Sequence, residues 1–224
     1  MNHATFNRSF LSRISITNLL ILIDVIVFII AYILISYNPD ILNYIALSPK
    51  LFIENYYFWT LLTSIFMHAG IAHLFVNMLS MFFIGNFIEK IIGRKRFLWF
   101  YLISGIFAGL LFVVASFLLP NSSILGTGYN IAAVGASGAL FGIAGLMMLL
   151  TPNLPVYAMF IPIPIKSKYA IPGLLIVIAL ISTASGWPIG NIAHLGGLIA
   201  GIIYGMYLKN KYQRKARAIS MYFR

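Results

Sequence analysis

Ser137 and His194 are the pair of residues in this sequence whose types fit nucleophilic catalysis. Ser137 stands in VGASGALFG and His194 in NIAHLGG, and both segments are apolar. A serine hydroxyl becomes a nucleophile when a histidine within hydrogen-bond reach takes its proton. Taken singly, each has a plainer interpretation, because a serine in an apolar helix usually bonds its own backbone and a histidine can pack against a carbonyl.

A second group of polar residues lies in the segment MHAGIAHLFVN. His73 and Asn77 are spaced i and i+4, so they share one face of a helix. They could donate two hydrogen bonds to a tetrahedral intermediate, and the Ser137 N–H a third if Gly138 loosens the helix. His68 and His73 also allow an interfacial or a metal-ligand interpretation. Zinc usually needs three or four ligands, and no carboxylate lies at helical spacing to these histidines, so we expect no metal.

Neither acidic residue of the predicted helices is placed to complete a catalytic triad. Asp24 lies in the first apolar stretch and Glu89 ends the second. Neither should reach His194, which lies at the start of the last apolar stretch. We therefore expect a Ser-His dyad without a third acid. Asp24 is interpreted as a helix-packing polar residue whose hydrogen bonds are satisfied, in preference to a proton relay. The serine also departs from the hydrolase pattern G-x-S-x-G, because Ala139 occupies the last glycine position.

Composition places these residues in a membrane. The chain has 224 residues, of which 61% are hydrophobic and 8% charged, whereas soluble domains carry about 25% charged residues. A span needs roughly 20 apolar residues. We predict an all-α polytopic protein with spans at about 16–36, 70–88, 97–119, 131–150, 169–185 and 191–208, between a short segment 1–15 and a basic tail 209–224. The aromatic-rich segment 37–69 suits a partly embedded external loop.

The basic residues predict the orientation. Of the 15 Lys and Arg residues, all but Lys50 fall on one side of the six predicted spans. By the positive-inside rule both termini are expected in the cytoplasm. The net charge of +11 then reflects topology, with membrane lipids carrying anionic headgroups as partners and no nucleic acid. The sequence has no cysteine, which excludes disulfide and thiolate chemistry.

This orientation brings the candidate residues to one depth. Spans two, four and six all start at the outer face, which places Ser137 about 8 Å below the surface and the histidines at a similar level. Two small-residue tracks would let these helices approach closely. They are Ala193, Gly197, Gly201 and Gly205 on the sixth span, and Gly135, Gly138, Gly142 and Gly145 on the fourth. Close packing of the small residues, without any catalytic role, would bring the fourth and sixth spans into the same contact. A transporter is disfavoured because the inner halves of these spans are apolar.

Three segments resemble the rhomboid family of intramembrane serine proteases. They are HAGIAHLFVN at 68–77, GASG at 135–138 and AHLGGLIAGIIYG at 193–205, on the second, fourth and sixth predicted spans. The resemblance covers about residues 15–208. It implies a six-helix core with Ser137 as nucleophile, His194 as general base and then acid, and an oxyanion hole of His73, Asn77 and the Ser137 amide.

The resemblance also implies details around the site. Phe141 falls where the family packs an aromatic residue, often Tyr, against the histidine, and Gly135, Gly138, Gly197 and His68 belong to the matching motifs. Trp59-Thr60 stands where the family commonly has Trp-Arg in its half-embedded first loop.

The implied reaction needs no cofactor. It is cleavage of transmembrane-helix substrates near the outer face, through an acyl-enzyme, with small residues favoured before the cut. The implied setting is a prokaryotic cell membrane. The alternative is a catalytically inactive rhomboid-like protein that binds membrane clients, which would be marked by loss of the serine or the histidine.

Overall fold

The computed structural model describes residues 14–157, 163–186 and 189–223. These residues form a helical bundle with one small antiparallel hairpin, which confirms the all-α fold class. The helices are α1 (Ile16–Tyr37), α2 (Ile41–Ile45), α3 (Pro49–Glu54), α4 (Thr60–Phe66), α5 (Ile71–Ser80), a π-helical turn (Met81–Gly85), α6 (Asn86–Ile92), α7 (Arg94–Leu118), α8 (Ser137–Leu150), α9 (Ser167–Ser185), α10 (Asn191–Lys211) and α11 (Gln213–Tyr222). The hairpin pairs β1 (Pro155–Val156) with β2 (Ile165–Lys166). Most of the predicted segment 1–15, residues 187–188 and Arg224 lie outside the described residues.

Five helical segments among the described residues are long and apolar enough to cross a membrane. They are Ile16–Tyr37, Ile71–Ile92, Arg94–Leu118, Ser167–Ser185 and Asn191–Lys211. These segments overlap the first, second, third, fifth and sixth predicted spans, and the second consists of α5, the π-helical turn and α6 in continuation. The chain is therefore a multi-pass integral membrane protein, and the total of six spans remains a prediction.

The fourth predicted span starts later than its hydropathy indicates. Residues 131–150 are uniformly apolar, but α8 begins only at Ser137. The backbone before Ser137 forms hydrogen bonds with other segments. Ala133 and Leu47 exchange N–H···O bonds of 3.0 and 2.9 Å, and the Gly135 N–H donates to the Ser64 carbonyl at 2.8 Å. Gly135 also has φ +125°, which lies outside the helical region. Segment 131–136 is consequently not part of the helix, and only Ala133 in it forms a β-bridge.

Helix α8 lies at the centre of the bundle, between α7 and α10. Its Ile143 and Leu146 side chains are fully buried. The N-termini of α5, α8 and α10 lie at one end of the bundle, named here the serine end. The opposite end, where α6 and α10 finish and α7 begins with Arg94-Lys95-Arg96, is named the basic end. Arg96 at the start of α7 donates to the Tyr212 hydroxyl after α10 at 2.9 Å, which ties these elements together.

The segment containing α2, α3 and α4 folds over the serine end and is held by aromatic side chains. The Trp59 indole N–H donates to the Tyr44 carbonyl at 2.8 Å. The Tyr57 ring stacks between those of Tyr44 and Trp59, with centroid distances of 5.3 and 4.7 Å. Thr60, which stands where the family commonly has Arg, is buried and donates to the Tyr57 carbonyl at 2.5 Å. Its hydroxyl therefore anchors the loop locally.

The two acidic residues of the spanning helices have different surroundings. The buried Glu89 carboxylate accepts from the N–H groups of Ile16 and Thr17, both at 2.8 Å, and from the Thr17 hydroxyl at 2.7 Å. It thus caps the N-terminus of α1, whose orphan N–H groups need acceptors. Asp24 is fully buried within α1, and its oxygens have no hydrogen-bond partner among the described residues. The expectation that its hydrogen bonds are satisfied is therefore wrong within those residues.

Candidate active site

The structure brings Ser137 and His194 together at the serine end of the bundle. Ser137 Oγ lies 2.8 Å from His194 Nε2, which is hydrogen-bond distance. Ser137 is the first residue of α8 and His194 lies in the first turn of α10. The histidine is only 7% exposed, so this contact is shielded from bulk water by the surrounding helices.

Glycine positions account for the short distance between the two helices. A Cβ atom built on Gly197 would lie 1.9 Å from the Gly138 carbonyl oxygen, and one on Gly201 would lie 2.1 Å from the Gly142 oxygen. On its other side, Gly138 faces Ala108 of α7, whose Cβ would lie 2.8 Å from an added Cβ. The small residues let α8 pack backbone to backbone against α10, and this packing sets the Ser137–His194 separation.

The His194 ring is positioned by stacking on Phe141 and by the contact of its Nε2 atom with Ser137. The Phe141 ring lies parallel to it, with centroids 4.7 Å apart and planes inclined by 25°. Phe141 follows Ser137 by one helical turn, so both side chains leave the same face of α8. His194 Nδ1 is buried without a hydrogen-bond partner among the described residues. No carboxylate is bonded to the histidine in the described part of the chain.

His73 presents its Nε2 atom to the Ser137 segment. Its Nδ1 accepts from the Ala69 N–H at 3.4 Å, which assigns the proton of the neutral ring to Nε2. A Cβ added to Gly135 would lie 2.9 Å from that Nε2 and 3.7 Å from Ser137 Oγ. Gly135 therefore leaves room for a histidine N–H donor beside the serine.

Asn77 and His68 lie beside His73 in different ways. Asn77 Nδ2 donates to the His73 carbonyl at 2.9 Å, which uses one of its two amide hydrogens and leaves the second. The His68 ring lies 5.2 Å from the His73 ring, edge to face. Both His68 nitrogens are buried and lack a partner within the described ranges. Burial, followed by the neighbouring His73, lowers the pKa of His68 to about 4, so this ring is neutral near pH 7.

The Ser137 N–H is available for a simpler reason than loosening of the helix at Gly138. Because α8 starts at Ser137, this N–H belongs to the first turn, whose N–H groups have no acceptor inside the helix.

The roles of Ser64 and Leu47 could not be predicted from the sequence. Their backbone groups brace Gly135 and Ala133, and backbone bonds of this kind leave no side-chain pattern.

Histidine and carboxylate side chains do not gather into a metal site in the described ranges. No group of three or more His, Cys, Asp or Glu close enough to share an ion occurs among residues 14–157, 163–186 and 189–223. The chemistry available at the serine end is therefore that of a hydroxyl, a histidine base and nearby N–H donors.

Comparison with known proteins agrees with this arrangement. The family model described as Rhomboid domain matches residues 55–211. RHOMBOID-like protein 1 of Arabidopsis thaliana is 38% identical over 71% of this chain and 37% of its own length. Rhomboid protease GluP of Bacillus subtilis (strain 168) is 36% identical over 64% of this chain and 24% of its own. Inactive RHOMBOID-like protein 8 of Arabidopsis thaliana is 31% identical over 69% and 39%.

These matches cover only part of each relative, between 24% and 39% of the length of the three proteins. The family model nevertheless covers most of this chain and includes every segment that builds the serine end from α4 onward. On this ground the chain belongs to the rhomboid family.

Proposed function

We propose that this protein is an intramembrane serine endopeptidase that uses Ser137 and His194 as a catalytic dyad. The observation that carries the proposal is the 2.8 Å separation of Ser137 Oγ and His194 Nε2. A histidine at this distance can accept the hydroxyl proton as oxygen attacks a carbonyl. The plainer interpretation, a serine bonded to its own helix, has an example in Ser104, whose hydroxyl donates to the Tyr101 carbonyl at 3.1 Å.

The reaction runs in two halves. Ser137 Oγ attacks the carbonyl carbon of the scissile peptide while its proton passes to His194 Nε2. The protonated His194 then donates this proton to the leaving nitrogen, the C–N bond breaks, and an ester of Ser137 remains. In the second half His194 takes a proton from water, the hydroxide attacks the ester carbon, and the proton returns to Oγ. The products are one new carboxyl end and one new amino end.

Donors for the negative oxygen of each tetrahedral intermediate are grouped around Ser137. The Ser137 N–H, the His73 Nε2–H and the second amide hydrogen of Asn77 are assigned to this oxyanion hole. Preorganised donors in a shielded site stabilise developing charge without reorganisation, and removing one typically costs about 10²–10³ in rate. The Gly135 position favours this role for His73, because it keeps the space between His73 and Ser137 free of a side chain.

The substrates we propose are transmembrane helices that are cut near the outer face. With 14 residues, α8 is about 21 Å long, so it falls about 9 Å short of a 30 Å hydrocarbon core. If its far end reaches the basic interface, Ser137 lies below the opposite surface yet within reach of water. A helix hides its carbonyls, so a substrate must unwind locally, which Gly or Pro near the cut favours.

The proposed orientation has both termini in the cytoplasm of a prokaryotic cell, with the serine end outside. Its support is the charge distribution, because Lys50 is the one basic residue of the predicted spans and loops on the serine side. The alternative function is that of an inactive client-binding protein, a class to which the name of one relative points. The paired Ser137 and His194 favour the protease.

The test is cleavage of reconstituted transmembrane substrates. Wild type is compared with Ser137→Ala and His194→Ala in liposomes, on a panel of single-span proteins with varied Gly and Pro content. Loss of either dyad residue should lower kcat by about 10⁴-fold or more. Ser104→Ala is the matched control, a buried serine outside the site, and should retain activity within about threefold. A fluorophosphonate probe should label wild type at Ser137.

Two outcomes would contradict the proposal. Equal cleavage by wild type and both dyad variants would remove Ser137 and His194 from the mechanism. No cleavage of any substrate, together with no labelling by the probe, would favour the client-binding alternative, which capture of the same substrates by the folded protein would then support.

A further inference from the structure

The last helix of the chain lies across the basic end of the bundle. Helix α10 ends at Lys211, Tyr212 leaves the helical conformation, and α11 then runs from Gln213 to Tyr222. Ala216 is buried, and the Phe223 ring packs edge to face against Phe87 of α6 at 5.7 Å. Helix α11 thus folds back onto the bundle and does not prolong the membrane-spanning direction of α10.

A groove of about 460 Å³ lies between α11 and the end of α10. Hydrogen-bond donors from both helices line it, namely Lys209, Asn210, Gln213, Arg217 and Ser220. No carboxylate is among its lining residues. Two cations and three neutral donors facing one space form a set that suits a phosphate group, whose oxygens accept several hydrogen bonds at once.

None of the four acidic side chains of the chain lines this groove. Glu89 is occupied by the start of α1, Asp24 is buried within α1, and Asp40 and Glu54 lie beyond the other end of that helix. No acidic side chain of the protein therefore balances the cations that line the groove.

Neighbouring cations differ in whether a protein partner holds them. Arg96 and Lys211 donate to the Tyr212 and Tyr207 hydroxyls at 2.9 and 2.7 Å. Lys209 and Arg217 have no hydrogen bond or ion pair with any residue that the structure describes. The groove cations are accordingly free to bind an external ligand, whereas the adjacent pair is held by tyrosines.

On another side of α11, toward α6, the helix presents apolar residues. A second groove of about 300 Å³ is lined by Phe87 and Ile91 of α6 and by Ala218, Ile219, Tyr222 and Phe223. A helix with one apolar and one cationic face lies in the headgroup layer of a bilayer. We propose that the α10–α11 groove is a binding site for the phosphate headgroup of an anionic phospholipid, with Lys209 and Arg217 as its charged ligands.

The test measures lipid retention and is independent of proteolysis. Wild type and Lys209→Gln/Arg217→Gln are titrated with phosphatidylglycerol in neutral detergent, and bound lipid is counted by native mass spectrometry. At about 1 kcal/mol for each basic residue near the headgroups, affinity should fall about 30-fold. The control Lys166→Gln/Lys168→Gln removes the same charge from the start of α9 at the same end, and should change affinity less than about threefold. Phosphatidylcholine should bind all three proteins equally weakly.

Other results would overturn the proposal. Equal losses in both double variants would mean diffuse electrostatic attraction and no defined site. Displacement of phosphatidylglycerol by millimolar inorganic phosphate would make the groove a site for free phosphate. Arg217→Lys, which keeps the charge but loses the planar fork, should give an intermediate affinity. If the double variant has a lower thermal unfolding midpoint than wild type in detergent, the lipid affinity of Arg217→Lys is compared with that of wild type instead.

Discussion

The Gly197 backbone passes directly against the Gly138 carbonyl, so that a Cβ atom at residue 197 would lie 1.9 Å from that oxygen. Gly138 follows Ser137 in α8, and Gly197 lies one turn beyond His194 in α10. The distance between the two backbones and the distance between the two proposed catalytic side chains are therefore set by the same contact.

Replacing Gly197 by Ala should separate α8 from α10 and lower both stability and activity. The added methyl meets backbone, which cannot rotate away, and overpacking of this kind costs about 1–3 kcal/mol. We expect kcat to fall at least tenfold, because a shift of about 1 Å at a reacting pair costs about 10²-fold. Thermal unfolding in detergent and cleavage of a reconstituted substrate measure the two effects.

Gly173→Ala is the matched control for that substitution. Gly173 lies inside α9, and a Cβ there would have no atom within 4 Å. Alanine has the higher helix propensity by about 1 kcal/mol, so this variant should be as stable as wild type or more so. If both alanine variants behave alike, the close approach of α8 and α10 is not what positions the dyad.

A methyl group at Gly135 should displace His73 from the Ser137 segment. Its Cβ would lie 2.7 Å from His73 Cε1, and the residue has φ +125°. Gly93→Ala separates the two effects, because Gly93 has φ +86° but no atom within 4 Å of an added Cβ. Both variants should lose stability through backbone strain, whereas only Gly135→Ala should lower kcat, by about 10²-fold. A similar kcat in the two variants would argue against His73 as an oxyanion donor.

The sequence predicted which residues meet at the serine end better than it predicted where the fourth helix starts. Small residues on the fourth and sixth spans indicate close packing by their spacing alone, and the structure places Ser137 and His194 on the packed faces. The start of α8 has no such signal, because residues 131–136 are as apolar as the helix that follows. The backbone bonds to Leu47 and Ser64 and the positive φ of Gly135 keep residues 133–135 out of the helix.

Contacts between residues far apart in sequence could not be predicted either. Glu89 lies at the end of a predicted span, yet its carboxylate accepts hydrogen bonds from the first residues of α1, more than seventy positions away. A single sequence does not show which helix ends lie together when all of them are apolar and of similar length. The π-helical turn at Met81–Gly85 also follows no local pattern, since its composition is that of an ordinary apolar helix.

Phe141 should affect turnover more than substrate binding. Its ring stacks on His194 at 4.7 Å, and removing the stack leaves the imidazole free to rotate away from Ser137. Phe141→Leu keeps an apolar side chain of similar size and should lower kcat about tenfold with little change in KM. Phe141→Tyr preserves the ring and should stay within about threefold of wild type. A change confined to KM in the leucine variant would place Phe141 in substrate contact.

Glu89→Gln should destabilise the protein without changing the chemistry at Ser137. The amide replaces one carboxylate oxygen by an NH₂ group, which faces N–H donors of Ile16 or Thr17 and cannot accept from them. Hydrogen bonds to a charged group contribute about 1.5–3 kcal/mol, and the carboxylate also complements the helix dipole of α1. We expect a loss of about 2–3 kcal/mol in unfolding free energy, with faster hydrogen exchange at the first amides of α1.

Glu54→Gln is the control for this substitution. Glu54 accepts from the Tyr129 hydroxyl at an exposed position, so its replacement should change stability by less than about 0.5 kcal/mol. Unchanged exchange at Ile16 and Thr17 in the Glu89 variant would show that α1 is held by apolar packing alone.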